Sequence, residues 1–295
     1  YTDLSAVSVT LQKAAVNSSI VELDAEWANF RGADSNNGVV SAKTPLGALD
    51  GMLYWASPLG KGWDTGAVSS PILVNDCLVV YAGNHIYRVN KETGAIEASG
   101  DMAGTSSFAI NGPTYADGMI FVALTNGVVQ AFDADSLESL WIYHDPLKGQ
   151  PNCPITISNG YAYTGFWNSE TRDASFVCIP IADERPNVKN EEKYAAWRHV
   201  QTGGFYWAGA CVQNGVLLVG TDDGQDSTSP VLSTGRVLLF DAATGALLDE
   251  VGGICGDVRS TICYDSGSNA YYATSKGGEF IQIKLDATGR KIASK

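Results

Sequence analysis

The chain has 295 residues, 45% of them hydrophobic, with 32 glycines and 19 Lys+Arg against 32 Asp+Glu, a formal net charge of −13. The length supports a large core, and the glycines favour many tight turns over long helices. The acidity sets the surface against phosphate backbones and anionic headgroups, so no nucleic acid and no peripheral membrane partner is expected. No run of 18 apolar residues occurs, which predicts no membrane insertion by a helix.

The chain opens at Tyr1 without a charged-then-apolar leader, which predicts a processed or trimmed product. Residues 1–26 stand outside the repeat that follows, as an N-terminal segment or the tail of a preceding domain. Within them Ala6–Leu11 alternates like a strand. Trp27-Ala-Asn-Phe-Arg-Gly32 then leads into the polar stretch Asp34-Ser-Asn-Asn-Gly38, and residues 27–295 are expected to form one repeat domain.

From residue 57 a turn followed by an apolar strand keeps returning. The turns are Asn75-Asp76, Asp117-Gly118, Asn159-Gly160, Asn214-Gly215 and Gly267-Ser268-Asn269; from 76 to 118 to 160 the steps are 42 and 42. Asn, Asp and Gly tolerate the positive φ of primed hairpin turns. Prolines at 71, 113 and 154 open the strand before the turn. After it come Leu78–Tyr81, Met119–Val122, Tyr161–Tyr163, Val216–Val219 and Ala270–Tyr272. A third strand ends in Asn or Asp, at Asn90, Asp133, Asp241 and Asp286. It leads into turns such as Glu92-Thr-Gly94 and Ala243-Thr-Gly245, and a last strand often carries tryptophan, at Trp55, Trp141 and Trp197. Four short strands in each unit of about 40–50 residues predict an all-β fold, a β-propeller of four-stranded antiparallel blades. Five repeats are read, at about 57–100, 101–147, 148–201, 202–252 and 253–295.

With these features the chain resembles the PQQ-binding-like (quinoprotein-type) β-propeller repeat family. The resemblance is carried by Asp241-Ala-Ala-Thr-Gly245, Asn90-Lys-Glu-Thr-Gly94 and the strand-end tryptophans. Through Trp27 to Gly38 it is especially similar to cell-surface propeller proteins of gut Firmicutes. The resemblance implies an extracellular or cell-surface location and a ring of seven or eight blades, of which five are supplied here. Enzymes of the family hold a quinone between a tryptophan and a vicinal Cys-Cys disulfide, with calcium on acidic and amide side chains. None of the six cysteines here (Cys77, Cys153, Cys178, Cys211, Cys255, Cys263) adjoins another, so PQQ is not expected. They lack zinc spacing too. Most lie in apolar runs as small buried hydrophobes, and a disulfide between some of them stays open.

In a propeller, the loops entering each innermost strand and the loops joining the two middle strands share the channel-mouth face. Candidate ligand-binding residues there are Trp63, Phe108, Phe205, Tyr206 and Trp207 from entering loops, and Trp167, Asp222 and Asp223 from middle loops. Aromatic rings beside carboxylates suit a sugar or peptide surface, though propeller aromatics more often fill gaps between blades. Asp222-Asp223-Gly-Gln-Asp226 offers oxygens to calcium without the spacing of a recognised loop. The run Asp183–Lys193 reads as an exposed excursion. Asn17-Ser-Ser19 matches a glycosylation sequon. No catalytic residue is assigned, since no nucleophile elbow or carboxylate pair stands out. The leading expectation is a non-catalytic extracellular module presenting its channel-mouth face to a protein or glycan. The alternatives are a quinone/calcium-dependent oxidoreductase and a glycan-cleaving enzyme with carboxylates at the channel mouth.

Overall fold

The computed structural model describes residues 20–41, 55–60, 62, 66–106, 111–226 and 234–295. The expected strand at Ala6–Leu11, the Asn17 sequon, and two of the candidate site residues, Trp63 and Phe108, lie outside them. Among the described residues, five antiparallel four-stranded units follow one another. The first runs Ile72–Val74, Cys77–Ala82, His85–Asn90 and Ile96–Asp101; the second Thr114–Ala116, Met119–Leu124, Val128–Asp133 and Ser139–His144. The third runs Thr156–Ser158, Tyr161–Gly165, Asp173–Pro180 and Trp197–Thr202. The fourth is built of Cys211–Gln213, Val216–Gly220, Gly235–Asp241 and Leu247–Ile254, the fifth of Cys263–Asp265, Ala270–Thr274, Phe280–Leu285 and Ile292–Ser294.

The hairpins occupy equivalent corners. Val74 pairs with Cys77, Ala116 with Met119, Ser158 with Tyr161 and Gln213 with Val216, each across a two-residue loop. Both loop residues have positive φ, for example Asp117 at 50° and Gly118 at 74°, as a type I′ turn requires. At the other strand end a carboxylate or amide organises the next turn. Asp241 Oδ1 accepts from the amides of Ala243 and Thr244 and from the Thr244 hydroxyl, and Asn90 Oδ1 does the same for Glu92 and Thr93.

The second, third and fourth sheets are apolar on both faces because they are packed on both. Phe176 and Cys178 join Leu217, Val219 and Phe240 in the core between the third and fourth blades. Their alternates Val177 and Ile179 join Phe121 and Trp141 in the core between the second and third. Successive side chains point to opposite faces, so a strand buried on both sides reads as an unbroken apolar run such as Val216-Leu-Leu-Val219. Two more such cores join the first blade to the second and the fourth to the fifth.

Tryptophans lock the seams. The Trp55 and Trp197 rings lie over Gly94 and Gly245 of the next blade, where a Cβ would come within 2.6 Å and 2.5 Å of the indole. Their Nε1–H groups donate to Lys91 O and Ala242 O, each at 2.9 Å. Trp141 is fully buried and donates to Ile181 O at 2.9 Å.

Two findings differ from the sequence expectation or extend it. The end of the charged run 183–193 is not an exposed excursion: Glu191–Lys193 pairs in parallel with Ser139–His144 as a fifth strand of the second sheet. Glu191 and Lys193 are buried there, Lys193 Nζ donating to Ala182 O at 2.5 Å and pairing with Glu184 at 3.2 Å. Residues 20–41 run along the innermost strands. Ala25–Trp27 pairs with Ile72–Val74, Ala28 O accepts from Tyr115 N at 2.7 Å, and Ser35 O accepts from Tyr264 N at 2.8 Å. Asn36 Nδ2 donates to Ala210 O and Ile262 O at 2.9 and 3.0 Å. Ile20 and Val21 lie against Gly118, at the hairpin turn of the second blade.

Candidate functional site at the channel mouth

The opposite end is built from loops of the third, fourth and fifth blades. Gly203 and Gly204, at φ 85° and 68°, turn the chain out of the third blade, where a side chain on Gly204 would meet Ala174 Cβ and Phe166 O. The next three residues separate by depth. Phe205 is fully buried against Phe176, with ring centroids 5.2 Å apart, and Cys153 Sγ donates to its carbonyl. The reading of Phe205 as a ligand-binding residue is thereby corrected: its ring fills the seam between blades. Tyr206 and Trp207 turn outward, stacked at 4.4 Å and 24°, and Trp207 is 41% exposed with φ 60°. Trp167 adds a third ring 4.6 Å from Tyr206.

Beneath the rings lies a charge cluster. Arg259, in the loop entering the innermost strand of the fifth blade, packs its guanidinium 4.6 Å from the Tyr206 centroid and 6.0 Å from that of Trp207. It donates to Asp222 through Nε at 2.9 Å and Nη2 at 2.6 Å, and Nη2 also reaches Glu170 and Asp257, each at 3.0 Å. Trp167 Nε1 donates to Asp222 Oδ2 at 3.0 Å. Asp223 N donates to Asp257 Oδ1 at 3.0 Å, and Lys276 Nζ lies 3.2 Å from Asp257 Oδ2.

Burial raises the Asp222 carboxyl to about 7 in spite of Arg259, and raises Asp223 as well. At Asp257 burial works in the same direction but is outweighed by the Asp223 amide, Arg259 and Lys276, so its carboxyl stays below the ordinary range. Burial opposes the charge on Arg259, yet the three acids hold its guanidinium still more firmly protonated than usual.

The structure thus brings together Trp167, Tyr206, Trp207, Asp222 and Asp223 from the expected set. It adds Glu170, Asp257 and Arg259, none of which stood out in the sequence. The signal was available: Asp257-Val-Arg259 enters the fifth blade just as Phe205-Tyr-Trp207 enters the fourth. Within the acidic Asp222–Asp226 loop Asp222 is buried, and Asp223 Oδ1 accepts from Gln225 N.

The groups implied by the family resemblance fit these residues poorly. A quinone clamp needs adjacent cysteines, which the sequence lacks, and Cys153 beneath the site is a buried thiol bonded to Phe205 O. A calcium ion needs free carboxylate oxygens, whereas those of Glu170, Asp222 and Asp257 surround a guanidinium.

These features define a β-propeller whose blades lock through tryptophans and Thr-Gly turns. Residues 36–166 match a family model described as "Outer membrane protein assembly factor BamB", and no curated protein matches the chain. Among solved structures, the quinohemoprotein alcohol dehydrogenase of Comamonas testosteroni is similar at 12% identity and TM-score 0.60, over 91% of this chain and 52% of that one. The alcohol dehydrogenase ADHIIG of Pseudomonas putida HK5 is similar at 12% identity and TM-score 0.60, over 91% and 50%. The BamB of Moraxella catarrhalis is similar at 11% identity and TM-score 0.47, over 74% and 60%. The chain spans about half the length of the two dehydrogenases, and at these identities the likeness is one of fold.

Proposed function

We propose that this chain is a non-catalytic propeller module, acting at the cell surface or outside the cell, that docks a partner protein on its channel-mouth face. One observation carries the reading: Glu170, Asp222 and Asp257 are committed to Arg259, and Asp222 to Trp167 as well, while the aromatic stack ending in Trp207 faces outward. Acid–base chemistry or sugar cleavage needs carboxylates free to exchange protons or attack, and Asp222 spends both oxygens on structural partners. Exposed, rigid aromatic rings over a satisfied polar floor are the composition of a protein-binding hot spot. The match of residues 36–166 to a family described as an assembly factor favours a protein over a glycan as the partner. The resemblance of Trp27–Gly38 to surface propellers is what supports the extracellular location. Five blades over half the length of the similar dehydrogenases fit an arc of a larger ring.

Photo-cross-linking tests the reading. A photoreactive residue at position 207 of the full chain, in its source cells, is expected to capture a discrete protein. The same residue at Asn159, on the hairpin face, is expected to capture none, and Tyr206→Ala to abolish the adduct. Equal capture from both faces, or alcohol oxidation by the purified chain with quinone and calcium, would refute it.

A further inference from the structure

Glu170, Asp222 and Asp257 are contributed by loops of three successive blades, and one carboxylate oxygen of each lies within 4.8 Å of the others. Three acidic oxygen donors converging in a partly buried place make a set that hard divalent cations prefer. A cation is already there. Nη2 of Arg259 alone reaches all three acids, at 2.6, 3.0 and 3.0 Å, while Nε takes the second oxygen of Asp222.

We propose that Arg259 is the resident cation of this three-blade carboxylate site, seated in place of a divalent ion and excluding one. The inference concerns charge and metal affinity and stands whether or not the face docks a protein. Three arguments carry it. A guanidinium is planar, always charged and rich in donors, so it satisfies several carboxylate oxygens at once and cannot leave by deprotonation. Its plane is fixed by the rings of Tyr206 and Trp207, so its eviction would sacrifice cation–π contacts as well as ion pairs. The charge is also partly balanced: Glu170, Asp222 and Asp257 meet Arg259, and Asp257 meets Lys276 too, so two resident cations already offset much of the negative charge that would attract a dication. Arg259 therefore ties the third, fourth and fifth blades together at the mouth by a link that is indifferent to chelators.

Terbium titration of the full chain tests this, because Trp167 and Trp207 stand close enough to sensitise emission from an ion bound among these acids. The wild-type chain is expected to show no saturable, tryptophan-sensitised emission, and a melting temperature unmoved by calcium or EDTA. Arg259→Ala is expected to gain saturable emission with an apparent affinity at least about tenfold tighter and a melting temperature that calcium raises. Adding Asp222→Asn should remove both gains. Arg259→Gln keeps bulk against Tyr206 and removes only the charge, so it decides the matter if Arg259→Ala does not fold and calcium does not rescue it. Saturable emission from the wild type that Asp222→Asn abolishes would overturn the proposal, as would folded Arg259→Gln with no gain in terbium or calcium binding.

Discussion

At the scale of single residues, Asp222 sets the character of the mouth. Its carboxyl is raised to about 7 by burial, so folding takes up a proton between about pH 4 and pH 7. The sign follows: this group's contribution favours the fold below pH 4 and is lost as pH rises to 7. Because Trp167 donates its indole N–H to this carboxylate, tryptophan emission is expected to titrate with a midpoint near 7, and Asp222→Asn to abolish that step. Emission flat from pH 5 to 9 would contradict the assignment. Glycines of the Thr-Gly turns allow a second comparison. Gly245 and Gly289 have similar positive φ, 70° and 66°, but only Gly245 carries an indole against its α-carbon. Gly289→Ala should cost about 1–2 kcal/mol for the left-handed backbone alone. Gly245→Ala should cost about 1–3 kcal/mol more, for displacing Trp197, as read from urea midpoints.

At the scale of elements, residues 20–41 act as a strap for strands that would otherwise present bare edges to the channel. An innermost strand has one paired neighbour, and its free N–H and C=O groups need partners. Asn36 supplies two carbonyls at once, one beside the fourth blade's inner strand and one beside the fifth's, and its φ of 58° suits an asparagine. Asn36→Ala is expected to cost about 1–3 kcal/mol. Asn36→Asp should cost more, because it aims a carboxylate at two carbonyl oxygens. Stability equal to wild type in both variants would show the strap to be incidental. The parallel strand Glu191–Lys193 is the other element that sequence reading misplaced. Its charges suggested solvent, yet Lys193 lies over Trp141 and finds Ala182 O and Glu184. Pattern alone could not show that Arg185 and Glu184, in the same run, would meet these charges while the backbone paired with a strand of the second blade.

At the scale of the whole molecule, stability is a sum of neighbouring seams. Trp141→Ala opens the core between the second and third blades and should cost about 3–5 kcal/mol. Faster hydrogen exchange is expected in those two blades, with the amides of the fifth unchanged. Acceleration spread evenly over all blades would mean the chain unfolds as one cooperative body.

The blades were legible in the sequence because everything that defines them is local. A hairpin needs Asn, Asp or Gly at fixed offsets, a strand buried on both faces needs an unbroken apolar run, and a turn glycine under an indole needs Thr-Gly after Asp or Asn. The face that would bear the site was also legible, since it follows from which loops share an end of the blade. What only the tertiary structure decided is which side chains on that face are free. Phe205, Tyr206 and Trp207 are consecutive and alike in type, yet one is a core residue and the last is exposed, because the seam between blades takes the first ring and has no room for the others. Arg259 acquires its role from acids 89, 37 and 2 residues away in sequence, and no local pattern records a meeting that the stacking of blades alone brings about.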